Sequence, residues 1–253
     1  MGALSTRSLS ASGGDAQKAF IGAAPGSTFS EWMRSQASET WDRMVGHRFA
    51  RDVAADSLPP GVLQRYLLYE HDFVEVAVTI FGYALVKAPT ISEQTRLGLV
   101  IRELTTDQLT YFDRVFAQLG VTPEMRHAAS RPPTVMAFRE GMLALAAHRT
   151  YEEIISGMTA AEWMYLTWCS DAHARGPRDP VAAEWVKLHV DQPFADQVGW
   201  MRSQIDKYGP SLAPWQQERL AESFRRTLEL EIAFHDAPYQ LETPEHVASK
   251  ETG

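Results

Sequence analysis

The chain has 253 residues, 45% of them hydrophobic and 22% charged, a composition that suits a soluble globular protein with a full core. Its net charge of −8, with no stripe of Lys or Arg, argues against nucleic acid as a partner. One cysteine, Cys169, excludes an intrachain disulfide and any metal site built from cysteines alone, and fits a reducing, cytoplasmic setting.

No apolar run reaches the length of a membrane span and no signal-peptide core follows the start, so no membrane partner is expected. Residues 1–27 are rich in Ser, Gly and Ala and read as a mobile arm. Met1-Gly-Ala-Leu-Ser-Thr6 fits the short N-myristoylation pattern, which is common enough to arise by chance. A single domain is expected over residues 28–238, followed by a polar tail over residues 239–253.

Helical spacing predicts one helix from Phe29 to about Phe49, capped by Thr28 or Ser30, with Trp32, Trp41 and Met44 on one face. Leu58-Pro-Pro-Gly61 breaks the chain, with Pro60 placed to open the next helix, which runs towards Ala88 before Pro89. Glu93 to about Leu119 reads as one long amphipathic segment closed by Gly120. A helical turn at Pro123–Ala129, a helix over Val135–Ala147 and a nearly all-apolar helix from Tyr151 to about Ala172 follow. Val181–His189, Pro193–Tyr208 and Trp215 to about Ala237 complete the set. Without β-alternation or an internal repeat, the pattern predicts an all-α chain folded as one compact bundle of antiparallel neighbours.

Three of these helices carry carboxylates on apolar faces. Tyr66, Glu70 and Phe73 fall at i, i+4 and i+7 on one stripe, and a carboxylate there needs a partner or a ligand. Asp72 lies about 200° round the same helix and belongs to another environment, while His71 suits an interhelical hydrogen bond better than a metal. Glu162 precedes Trp163 on the most hydrophobic helix, with Tyr165 at i+3 and Cys169 at i+7; each is open to a structural reading as well as a functional one. Glu231, Phe234 and His235 form i, i+3, i+4 neighbours, open to a helix-end pair or a metal site. Glu39, Glu70 and Glu103 lack the histidine partners that a di-iron bundle uses, so no metal and no cofactor is expected.

His47-x-Phe49, Leu58-x-x-Gly61, Tyr66-x-x-Tyr-Glu70-x-x-Phe73, Tyr111-Phe112 to Leu119-Gly120, Pro133-Thr134 with Phe138, Trp185-Val186 and Glu231-x-x-Phe234 form an ordered series. In that order and spacing the chain resembles the TenA family of thiamin-salvage proteins, from about Phe29 to Asp236. The resemblance implies a heme-oxygenase-like all-α fold, a homo-oligomer (dimer or tetramer), and a pocket for an aminopyrimidine. Some members use a nucleophilic cysteine four residues before a pocket tyrosine; that position here is Ala161. Glu162 with Tyr165 looks instead like the class that lacks the cysteine and carries a glutamate on this helix. Glu70 stands for an aspartate, Phe73 and Phe138 for tyrosines, and His189 for another tyrosine.

The function so implied is hydrolysis of aminomethyl- or formylaminomethyl-pyrimidines, with Glu162 and Glu231 as acid and base. Glu70, Phe73, Phe138, Tyr165, His189 and Phe234 would bind the flat ring. The alternatives are a pyrimidine-binding or regulatory protein without turnover and a metal-dependent oxidase on the same fold.

Overall fold

A computed structural model describes Phe20 and residues 26–240; the arm over residues 1–27, for the most part, and the tail beyond Gln240 lie outside the described residues. Twelve α-helices are found there: α1 (Phe29–Gln36), α2 (Ser38–Val45), α3 (Arg48–Ala54), α4 (Val62–Lys87), α5 (Ile91–Glu103), α6 (Leu109–Leu119), α7 (Pro123–Ala128), α8 (Pro133–His148), α9 (Tyr151–Arg175), α10 (Pro180–Leu188), α11 (Gln192–Tyr208) and α12 (Pro214–Asp236). No strand occurs among them, and none is long and apolar enough to cross a membrane.

The most hydrophobic helix is the central one. α9 buries most of its length, from Tyr151 through Met158 and Trp168 to Ala172, and packs against α12, α11, α3 and α10. Its start is fixed by a capping box in which Thr150 accepts from the Glu153 N–H and Glu153 returns a bond to the Thr150 N–H. α4 lies against α8 on one side and α5 on the other, so the second carboxylate-bearing stripe faces the same interior.

Three boundaries differ from the sequence reading. The helix expected over Phe29–Phe49 is three short helices, broken at Ala37 and at Gly46-His47. There the His47 Nδ1 accepts from the Phe49 N–H at 3.1 Å and caps α3. Pro60 does not open α4; Gly61 precedes it with φ +79°, a left-handed conformation that disfavours any residue with a Cβ.

The segment expected to be one helix from Glu93 to Leu119 carries a π-helical turn at Leu104–Gln108 between α5 and α6. Thr105 and Thr106 sit in that turn and both donate from their hydroxyls to the Arg102 carbonyl, Thr105 also to that of Ile101. Such back-bonding by β-branched hydroxyl residues loosens and bends a helix, and π turns are where helices kink.

Candidate active site

The space bordered by α4, α5, the π turn, α6, α8, α9, α10, α11 and α12 is a cavity of about 380 Å³. α4 contributes Glu70, Phe73, Val74 and Ala77, the i, i+3, i+4, i+7 face of a helix. α9 contributes Met158, Ala161, Glu162 and Tyr165 on the corresponding face, and α12 contributes Glu231. Each of the three carboxylates singled out in the sequence therefore borders one space. Among the described residues no group of three His, Cys, Asp or Glu side chains is arranged to hold a metal ion.

Glu70 is buried, at 8% exposure, and is held by Tyr165, whose hydroxyl donates to Glu70 Oε1. The Tyr165 hydroxyl is itself 2.7 Å from that of Tyr66, which lies beneath the cavity wall. Burial raises the Glu70 pKa to about 7, against the opposing pull of the Tyr165 and Tyr66 hydrogen bonds.

Glu162 keeps part of its surface open, but that surface faces the cavity and protein surrounds the side chain; burial, with the Glu70 charge second, lifts it to about 8. Glu231 is 2% exposed and its Oε2 has no hydrogen-bond partner. Burial first, then Glu70 and Glu162, push its pKa well above the usual carboxylate range. The three titrate as a coupled set, each raised by burial, with Glu70 and Glu162 opposing a further charge on Glu231.

His189 lines the cavity, packed between Tyr165 and Trp185 with ring centres 4.9 and 4.3 Å away. Its Nδ1–H donates to the Trp185 carbonyl at 2.8 Å, and burial lowers its pKa to about 4, so the imidazole is neutral at physiological pH. Phe138 forms a wall of the cavity with Phe73, ring centres 4.5 Å apart. Phe234 does not reach it: its ring lies 4.7 Å behind Phe138, so the ring contact expected of Phe234 is corrected to a buttress. Trp185, with its indole N–H unpartnered, and Tyr111, with its hydroxyl unpartnered, were missed in the sequence although both border the cavity.

His235 was expected to pair with Glu231. Its Nδ1 donates to the Glu231 backbone carbonyl at 2.9 Å and lies 3.6 Å from the carboxylate; burial, with a smaller effect of His47, lowers its pKa to about 3. It is a core ring, 5.6 Å from Tyr165 and 5.4 Å from Tyr66. His71 packs edge-on against Phe112 and Phe116 and lies 3.5 Å from Asp72 on its own helix, while Asp72 pairs with Arg131.

Ala161 borders the cavity. Cys169 is fully buried and off the cavity wall, and burial pushes its thiol pKa well up. Cys169→Ser is therefore expected to leave any turnover within a few-fold of wild type, read by steady-state kinetics. Loss of activity in a variant with unchanged melting temperature would contradict the burial argument.

The raised carboxyls also predict a pH effect on stability. A carboxyl whose folded pKa exceeds its unfolded value binds a proton on folding, so its contribution to stability falls as pH rises from about 4.5 towards the folded value. His189 and His235 act in the opposite sense, but only below about 6.5, the unfolded value. Between pH 7 and 8 the ligand-free protein is thus expected to lose melting temperature, and Glu162→Gln to lessen that slope. An identical slope in the variant would place Glu162 in water.

Similarity to known proteins agrees with this arrangement. The curated aminopyrimidine aminohydrolase of Bacillus subtilis (strain 168) is 20% identical over 224 residues, which span 88% of this chain and 94% of that protein. Among solved structures, a TenA homologue from P. horikoshii OT3 superposes with a TM-score of 0.77 at 19% identity, over 84% of this chain and 99% of the other. A putative TenA-like thiaminase from Sulfolobus solfataricus P2 gives 0.71 at 18% identity, over 83% and 94%. These likenesses show the TenA-like all-α fold. The sequence pattern of one family matches residues 34–241, most of the length, and the chain belongs to that TENA/THI-4/PQQC family.

Proposed function

We propose that this protein is a C–N hydrolase of thiamin-derived aminopyrimidines, working by carboxylate acid–base chemistry without a covalent cysteine intermediate. The observation that supports it most directly is the meeting of Glu70, Glu162 and Glu231 around one aromatic-walled cavity in which burial brings carboxyl titration into the neutral range, so that one can hold a proton while another accepts one. The flat ring lies against Phe73 and Phe138. Glu70, oriented by Tyr165, accepts from the exocyclic amine on the ring.

Glu162, in its ionised form, takes a proton from water as the oxygen bonds to the exocyclic methylene carbon. Glu231, kept protonated by burial, gives its own proton to the departing nitrogen as the C–N bond breaks. The products are the hydroxymethylpyrimidine and ammonia, and one more proton exchange between Glu162 and Glu231 through solvent restores the starting state. The similarity to an aminopyrimidine aminohydrolase supports the same substrate class.

The test is incubation of the purified protein with aminomethyl- and formylaminomethyl-pyrimidine, with product followed by chromatography and released ammonia measured. Stoichiometric hydroxymethylpyrimidine and ammonia are expected from the amine. Tight binding of the ring without turnover would replace this reading with a non-catalytic binding protein.

A further inference from the structure

The cavity has two chemical zones. The inner one is the carboxyl set already described. The outer one is formed by Glu103 and Asp107 from the seam between α5 and α6 and by Asp191 at the start of α11. Asp107 is exposed, while Glu103 and Asp191 are half-buried.

Among the described residues no Lys or Arg lines the cavity, and neither Asp107 nor Asp191 takes part in an ion pair. Glu103 has only Arg102, its exposed neighbour in sequence, at 3.8 Å. Asp107 Oδ1 accepts from the Thr106 hydroxyl at 3.3 Å, and Asp191 Oδ1 accepts from the Phe194 N–H at 3.2 Å; neither bond engages Oδ2. Arg114 lies over the Tyr111 ring, 5.6 Å from its centre, but its two terminal nitrogens are bound by Glu184 at 2.7 and 2.5 Å.

Acids on a surface usually do no more than face water. Here two buried groups on the same cavity wall are unmet as well. Tyr111 is 4% exposed and its hydroxyl has no partner. Gln197, on α11 two turns after Asp191, is 9% exposed and makes no hydrogen bond to the described residues. Buried polar groups are nearly always satisfied, so orphans lining a cavity point to a ligand. The cavity volume falls in the range of pockets for drug-sized ligands, more than one six-membered ring with small substituents fills.

We propose that Glu103, Asp107 and Asp191, with Tyr111 and Gln197 beside them, form a subsite for an ammonium group carried on the exocyclic nitrogen of the ring-bearing substrate. The preferred substrate class is then an aminomethylpyrimidine with a cationic arm on its leaving nitrogen. The unmet Gln197 amide accepts from the arm, Tyr111 walls it, and the carboxylates select its charge. The subsite deepens the aminopyrimidine reading of the inner zone and rests on it for the ring, but not for the cation.

Titration calorimetry on the full chain at low salt tests it with two pairs of probes. The first pair is an aminomethylpyrimidine bearing an aminopropyl arm and its counterpart with a butyl arm. The second, phenylbutylammonium and phenylbutanol, needs no pyrimidine contact. In each pair the cation is expected to bind about tenfold tighter, the scale of two partly exposed ion pairs, with a preference that shrinks as salt screens the rim. Asp107→Asn combined with Asp191→Asn should bring each pair to within about twofold. The affinity for the butyl compound and the melting temperature should not change, because asparagine keeps the α11 cap.

Equal affinities within both pairs in the wild type, or a preference that survives the double variant, would overturn the subsite. If neither pyrimidine binds while phenylbutylammonium still outbinds phenylbutanol and loses that advantage in the variant, the subsite stands and the aminopyrimidine reading falls.

Discussion

Glu231→Gln is expected to lower turnover by roughly a hundredfold or more, the usual scale for loss of a general acid, with little change in KM. The amide matches the carboxyl in shape and stays uncharged, as the protonated acid is, so the buried site has no reason to collapse. What it lacks is the labile proton. Burial first, and the Glu70 and Glu162 charges second, favour the protonated form of Glu231, which suits it to hold that proton.

Glu162→Gln should lose turnover to a similar degree, by removing the base that activates water. Glu70→Gln should instead raise KM, because an amide cannot match the charge-assisted bond to the ring amine and the Tyr165 hydroxyl loses its anionic acceptor. Steady-state kinetics on the three variants separates these roles. A neutral Glu231→Gln beside an inactive Cys169→Ser would reject the carboxylate mechanism outright.

The largest effect expected away from the cavity comes from Gly209→Ala. Gly209 has φ −52° and ψ −48°, a conformation any residue adopts, so the constraint is space and not backbone freedom. A methyl group there would overlap Cδ1, Cε1 and Cγ of the Phe29 ring. That ring is 1% exposed and cannot swing aside, because Phe20 and Trp32 lie against it with ring centres 5.2 and 4.9 Å away.

Overpacking of this kind costs about 1–3 kcal/mol, or roughly 2–12 °C of melting temperature for a domain of this size. Thermal unfolding measures it, and Phe29→Leu should recover part of the loss when combined with Gly209→Ala. Additive losses in the double variant would mean that the clash is not the cause.

The central features could be read in the sequence because burial leaves a periodic trace. α4 and α9 each place a glutamate among apolar residues at helical spacing, and both glutamates do border the cavity. Phe234 shows the limit of that reasoning. It lies one turn from Glu231, yet the crossing of α8 over α12 interposes Phe138, and a helix-to-helix relation of that kind leaves no mark on either strand of sequence.

The break at Gly46-His47 has a signal, a glycine followed by a side chain able to cap, but the helical spacing of Trp32, Trp41 and Met44 points to a helix that continues through it. The rim acids had none. Glu103 and Asp107 lie among polar residues that look the same whether they face water or a cavity mouth, and only the turn of the chain at Thr105-Thr106 tells the two apart.

That turn has a consequence for how the protein can change. A π turn takes in one residue more than the α-helix on either side of it. Deleting Thr105 or Thr106 would let the seam heal into continuous α-helix while α5 and α6 keep their buried faces, Leu97 and Val100 on one side and Phe112 and Phe116 on the other, in their present register. The mouth of the cavity can thus be rewritten by a change of one residue in length, without disturbing the core that holds the inner carboxyls in place.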